Sequence, residues 1–181
     1  LFEKAVAQGD PDAMYDLACL YREGKGVVQS FKKTAELCTM AAEQGHVKAM
    51  YNLGCLYRDG QGVAQSLKKA VELFTMAAEQ GHATAMMGLG FMYENGQGVV
   101  QSSKKAAELF TMAAEQGNVD AMTNLGTRYI QGDGVGQSNE LAREWWTKAA
   151  NEGNEDAIKN LQKLDKFEGT CVNQQQHLLL L

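Results

Sequence analysis

The chain has 181 residues, enough for one large domain or one repeat array, and 45% of them are hydrophobic, so a core can be buried. Its net charge is −5, with 17 lysines and arginines against 22 acidic residues, which argues against a nucleic-acid partner. It lacks the run of about 18 apolar residues that direct membrane insertion would need, and nineteen glycines beside a single proline, Pro11, imply glycine-made turns between unbroken helices.

In chain order, residues 1–8 come first. They match the last turns of a later helix, Leu37 to Gln44, so the array is expected to start with a partial unit. The first full unit, 9–44, reads as two helices. One is predicted over roughly 10–23, where Ala13, Met14, Leu17, Leu20 and Tyr21 recur at spacings of three and four and form one apolar stripe. Asp10 precedes it as an N-cap, and Pro11 suits the first helical position. A Gly-x-Gly-Val turn, Gly24 to Val27, follows. The second helix is predicted over roughly 30–44, with Ser30 as its cap and Gly45 ending it in a left-handed conformation.

The same elements return every 36 residues in units 45–80, 81–116 and 117–152. Ala-Ala-Glu-Gln-Gly occurs at 41–45, 77–81 and 113–117, and Ala-Ala-Asn-Glu-Gly at 149–153. Segments 45–80 and 81–116 share 25 of 36 residues, too many for low complexity to explain. One column, Ala18, Gly54, Gly90 and Gly126, puts a small residue in the middle of each first helix. A glycine there costs about 1 kcal/mol against alanine, which implies a neighbour too close for a Cβ. No unit can bury its own apolar faces, so stability requires stacking. Residues 153–168 keep Ala157, Ile158, Leu161 and Leu164 but replace the tyrosine column with Asp165 and lose the turn, as expected of a capping helix. Gly169 is expected to end it, leaving 169–181 as an unstructured tail.

No residue stands out as a catalyst. The capping serines and surface glutamates recur in unit after unit, whereas an active site needs a singular constellation in one pocket. His46 and His82 occupy cap positions where aspartate and asparagine stand elsewhere, so neither a metal site nor a cofactor is expected. Cys19, Cys38 and Cys55 share columns with aromatic residues or threonine and read as buried thiols, favouring an intracellular setting. Trp145 and Trp146 fall in core columns.

Ala-Met-x-x-Leu-Gly-x-x-Tyr, then Gly-x-Gly-Val, Lys-Lys-Ala and Ala-Ala-Glu-Gln-Gly, on a 36-residue step over residues 1–168, resemble the Sel1-like repeat, a relative of the tetratricopeptide repeat. The resemblance implies an all-α fold, a right-handed α-solenoid of antiparallel helix pairs. It also implies an adaptor that binds a protein or peptide, as a monomeric array within a larger assembly. The alternative is a secreted, β-lactamase-like hydrolase or cell-wall-binding member of the family. Those secreted members pair a cysteine on each helix of every unit, whereas only Cys19 and Cys38 are so placed here. In tetratricopeptide-like superhelices the first helices line a concave groove, and the residue before Leu-Gly faces it; in some relatives an asparagine there holds a peptide carboxylate. By that analogy the candidate partner contacts are Tyr15, Asp16, Tyr51, Asn52, Met87, Asn124 and Arg128. Tyrosines would give aromatic contact and asparagines amide hydrogen bonds.

Overall fold

The computed structural model of the chain describes Val6 and residues 9–178, with residues 170–178 as backbone only. Among the described residues the secondary structure is helical: α1 (Pro11–Glu23), α2 (Phe31–Glu43), α3 (Val47–Asp59), α4 (Leu67–Glu79), α5 (Ala83–Asn95), α6 (Ser103–Glu115), α7 (Val119–Gln131), α8 (Asn139–Asn151) and α9 (Glu155–Leu178). Two compact units are present. One runs to Ser102 and contains α1 to α5; the other starts at Ser103 and contains α6 to α9. Within each unit every helix packs against the next one in the chain. The partial unit predicted at 1–8 lies almost wholly outside the described residues.

Capping at both ends sets the length of these helices. Asp10 accepts from the backbone N–H groups of Asp12 and Ala13, Ser30 from Lys33, Asn118 from Ala121 and Ser138 from Leu141. The histidines do the same work with a ring nitrogen: His46 Nδ1 accepts from Ala49 N–H at 3.0 Å and His82 Nδ1 from Ala85 N–H at 3.1 Å. Each second helix closes through paired backbone bonds. Gly45, at φ +86°, donates to Ala42 O, and His46 N–H donates to Ala41 O, at 2.9 and 3.1 Å. Residue 46 therefore ends α2 with its backbone and starts α3 with its side chain.

The expected crowding at the small-residue column is real, and its cause is an aromatic ring on the partner helix. A Cβ on Gly54 would lie 2.7 Å from Phe74 Cε1, and one on Gly126 would lie 2.5 Å from Trp146 Nε1. In the first repeat the column holds Ala18, and the position of Phe74 is held by the smaller Cys38; both are fully buried. Phe74 is also fully buried, a contribution of roughly 1.5–3 kcal/mol from area alone. Trp146 is core, as its column implied, and its indole N–H donates to Thr123 O at 3.0 Å.

Three linked columns change at α9 and its neighbour. Asp165 holds the tyrosine position, Glu168 holds that of the first turn glycine, and Arg143 on α8 holds that of Ala35 and Ala107. Arg143 pairs with both carboxylates, which fastens α9 to α8. Contrary to expectation, α9 does not stop at Gly169 but continues to Leu178. Gly169 takes no positive φ and no proline follows it, so nothing local breaks the hydrogen-bond ladder. Residues 179–181, the end of the expected tail, lie outside the described residues.

Candidate functional site

In the first unit the side chains of α1, α3 and α5 that do not enter the core form the candidate surface. Tyr15 on α1 stacks on His46 with ring centroids 4.7 Å apart, and Tyr51 on α3 stacks on His82 at 5.0 Å. Each tyrosine thus lies against the cap of the next first helix. The capping bond fixes the imidazole: with Nδ1 accepting, the proton sits on Nε2, and in His46 that group points at Asp12 Oδ1, 3.2 Å away. At the equivalent place beside His82 stands Lys48. Burial and the Lys48 charge both lower the His82 pKa, and they outweigh its backbone hydrogen bond.

Both tyrosines sit against their own helix neighbours. Tyr15 lies beside Cys19 and Asn52, and burial raises its pKa. Tyr51 lies beside Cys55, and burial, reinforced by that thiol, pushes its pKa up to about 12. Cys38 beneath them is a free thiol pushed up to about 12, mainly by burial, so it is a poor nucleophile at neutral pH. Cys19 and Cys55 are free thiols as well. A groove of about 520 Å³ opens between Asp12, Tyr15, Asp16, His46, Val47 and Lys48. It offers an aromatic floor and both signs of charge.

Among the predicted contacts, Tyr15 and Asp16 line this groove, and Tyr15 meets Asn52. Asn52 is only 9% exposed, so most of its amide is spent inside the protein. Tyr51 is half-buried against Phe74 and His82. Met87 is half-buried on α5. In the second unit Asn124 donates to Asp120 O at 2.9 Å and is half-exposed. Arg128 is placed differently from the expectation of an open groove contact. It is 5% exposed, bonds Asp133 at 2.7 Å and lies over the Phe110 ring at 4.8 Å. Its column holds Leu20, Leu56 and Met92, which are core or near-core positions, so the guanidinium folds inward and its charge is met by Asp133.

Sequence reasoning passed over Asp12, His46, Lys48 and His82 as groove residues. A signal for the histidines was present. Tyr15 precedes His46 by 31 residues and Tyr51 precedes His82 by the same step, whereas Met87 and Thr123 are followed at that step by Asn118 and Asn154. Ring partners change together. Among the described residues no cluster of His, Cys, Asp and Glu could hold a metal ion, and no helix is long and apolar enough to cross a membrane.

These features define an all-α solenoid built from stacked helix pairs. The Sel1 repeat family matches residues 11–46, 47–82, 83–118 and 119–154, and the chain belongs to that family. It is similar to the crystal structure of c5321, a protective antigen of uropathogenic Escherichia coli strains with an SLR fold. That match has a TM-score of 0.89 and 34% identity, and covers 92% of this chain and 36% of the other. A Sel1 repeat protein from Oxalobacter formigenes matches with a TM-score of 0.79 and 34% identity over 86% of this chain and 64% of the other. Cysteine rich protein B of Helicobacter pylori matches with a TM-score of 0.60 and 28% identity over 73% of this chain and 98% of the other. The chain thus spans about a third of the length of the first of these and just under two thirds of the second. No curated protein matches the sequence. Sel1 repeat proteins are generally protein-interaction scaffolds and typically not enzymes.

Proposed function

We propose that this chain is an adaptor that holds an extended segment of a partner protein against its first helices, with Tyr15, Asp16, Tyr51 and Met87 as contacts in the first unit; Asn124 is a separate contact position on a first helix of the second unit. The observation that carries the reading is the groove of about 520 Å³ at Asp12, Tyr15, Asp16, His46, Val47 and Lys48. Its rings are held in place by the Tyr15–His46 stack and the histidine cap, so little side-chain entropy remains to be lost when a peptide docks. Tyrosine anchors in a pre-formed cleft, ringed by polar groups, are the pattern of interface hot spots. Asn52 supports this surface from beside Tyr15.

A displayed peptide library selected on the immobilised chain tests this. Binders should lose about tenfold or more in affinity to Tyr15→Ala and Asp16→Arg, a cost of roughly 1.4 kcal/mol, and keep their affinity for Met40→Ala and Met76→Ala, which alter exposed positions of α2 and α4. Helix content by circular dichroism separates lost contact from lost fold. Binders indifferent to both groove variants would remove the site.

A further inference from the structure

Three of the four Gly-x-Gly-Val turns rest on the start of the preceding repeat's second helix. In the first unit, a Cβ on Gly62 would overlap the Phe31 carbonyl, and one on Gly98 would lie 2.7 Å from the Leu67 carbonyl oxygen. In the second unit, a Cβ on Gly134 would overlap the Ser103 carbonyl and lie 3.1 Å from Ala107 Cβ. The valine that follows is half-buried, and Val63 packs on the core of the first unit. So the chain makes one backbone-on-backbone contact three times, always through glycine.

Phe31, Leu67 and Ser103 share a column, and its fourth member is Asn139, the first residue of α8. No such turn follows α8's neighbour. Where the Gly-x-Gly-Val turn would stand, residues 168–171 read Glu-Gly-Thr-Cys and α9 runs straight through them. Asn139 instead borders a cavity of about 370 Å³, mostly apolar in surface, lined also by Ile130, Gln137, Trp146, Asn160, Lys163, Leu164 and Phe167. Phe167 holds the column of Asp59, the residue from which the turn leaves α3. The cavity therefore spans the two points, Phe167 and Asn139, whose equivalents Asp59 and Phe31 the turn bridges in the first unit. Its rim includes a large ring that is 63% exposed. Beside it, Arg143 joins α9 to α8 through Asp165 and Glu168.

We propose that this cavity is a docking site for a glycine turn of a partner protein, Gly-x-Gly-Val or a sequence of like shape, which continues the turn-on-helix interface already repeated along the chain. Glycine is required at the point of backbone contact, as it is at Gly62, Gly98 and Gly134. A β-branched aliphatic residue next to it suits the apolar lining. The Asn139 side chain supplies both a donor and an acceptor for the peptide groups of the turn.

The probe is a cyclic peptide with the sequence of residues 57–68 of this chain, titrated into the whole protein at up to about millimolar concentration. The readouts are the Trp146 indole N–H and the Asn139 amide in nitrogen–proton spectra. Both signals should shift with saturation. The same peptide with alanine for the second glycine should bind about tenfold more weakly or worse. Asn139→Trp, which fills the cavity from an exposed helix start, should abolish the shifts while leaving helix content unchanged. Tyr15→Ala should leave them unaltered, which separates this site from the proposed groove. The proposal is overturned if the shifts are absent at the highest concentration, if the alanine peptide binds equally well, or if the shifted signals lie elsewhere. It is overturned also if the same two signals move with protein concentration alone, since a second copy would then be the occupant.

Discussion

The α1–α2 pair and the α3–α4 pair share their spacing in sequence and differ in how they fill the space between the helices. The first sets Ala18 against Cys38; the second sets Gly54 against Phe74, whose ring occupies the volume a Cβ would need. The same trade recurs at Gly126 and Trp146. Two columns therefore act as one unit of volume, and the mid-helix glycine, unfavourable by itself, is the consequence of a large ring opposite. The repeat tolerates variation when both columns change together.

The sharpest way to break this comparison is to give the second pair half of the first pair's solution. Phe74→Cys without a change at Gly54 should cost about 3–4 kcal/mol, because the cavity left beside glycine has nothing to fill it. Adding Gly54→Ala should recover part of that loss, with a coupling of about 1 kcal/mol or more in a double-mutant cycle measured by urea unfolding. Gly62→Ala comes next, at about 2–3 kcal/mol. It forces a side chain into φ +71° and against the Phe31 backbone, neither of which can yield easily. Gly54→Ala alone should cost about 1–2 kcal/mol, since the overpacking against Phe74 exceeds the gain in helix propensity.

The smallest effect sharpens the comparison at the caps, where His46 faces Asp12 and His82 faces Lys48. The folded-state pKa of His82 lies below its unfolded value, so its contribution is fully present above about pH 6.5 and is lost as the pH falls from there toward the folded value. Protonation would also remove the Nδ1 acceptor that caps α5. His82→Asn should flatten the stability profile on the acid side by less than about 1 kcal/mol. Lys48→Asp should raise the His82 titration midpoint in proton NMR, and a midpoint that stays still would deny the Lys48 field its assigned part.

Much of the fold was legible in the sequence because a 36-residue repeat states each structural demand four times. Helix limits, caps, turn glycines and the small-residue column could each be checked against their copies. The groove was harder, since a binding surface consists of the positions that do not repeat, and one copy of each offers no internal control. Arg128 shows the difficulty: the tetratricopeptide analogy set it at the groove, but the apolar residues of its own column described an inward side chain, and Asp133 was the missing counter-charge. Gly169 misled in the opposite direction. A glycine read as a stop is only permissive, and the helix continued.

One residue joins each helix pair to the next. His46 N–H closes α2 on Ala41 O while His46 Nδ1 opens α3 at Ala49. Because a single residue serves both helices, fraying at the end of one removes the anchor for the start of the other. Amide protons from Ala41 to Ala49 should accordingly exchange with solvent as a group, at one common opening rate, which makes the junction the smallest cooperative element of the array.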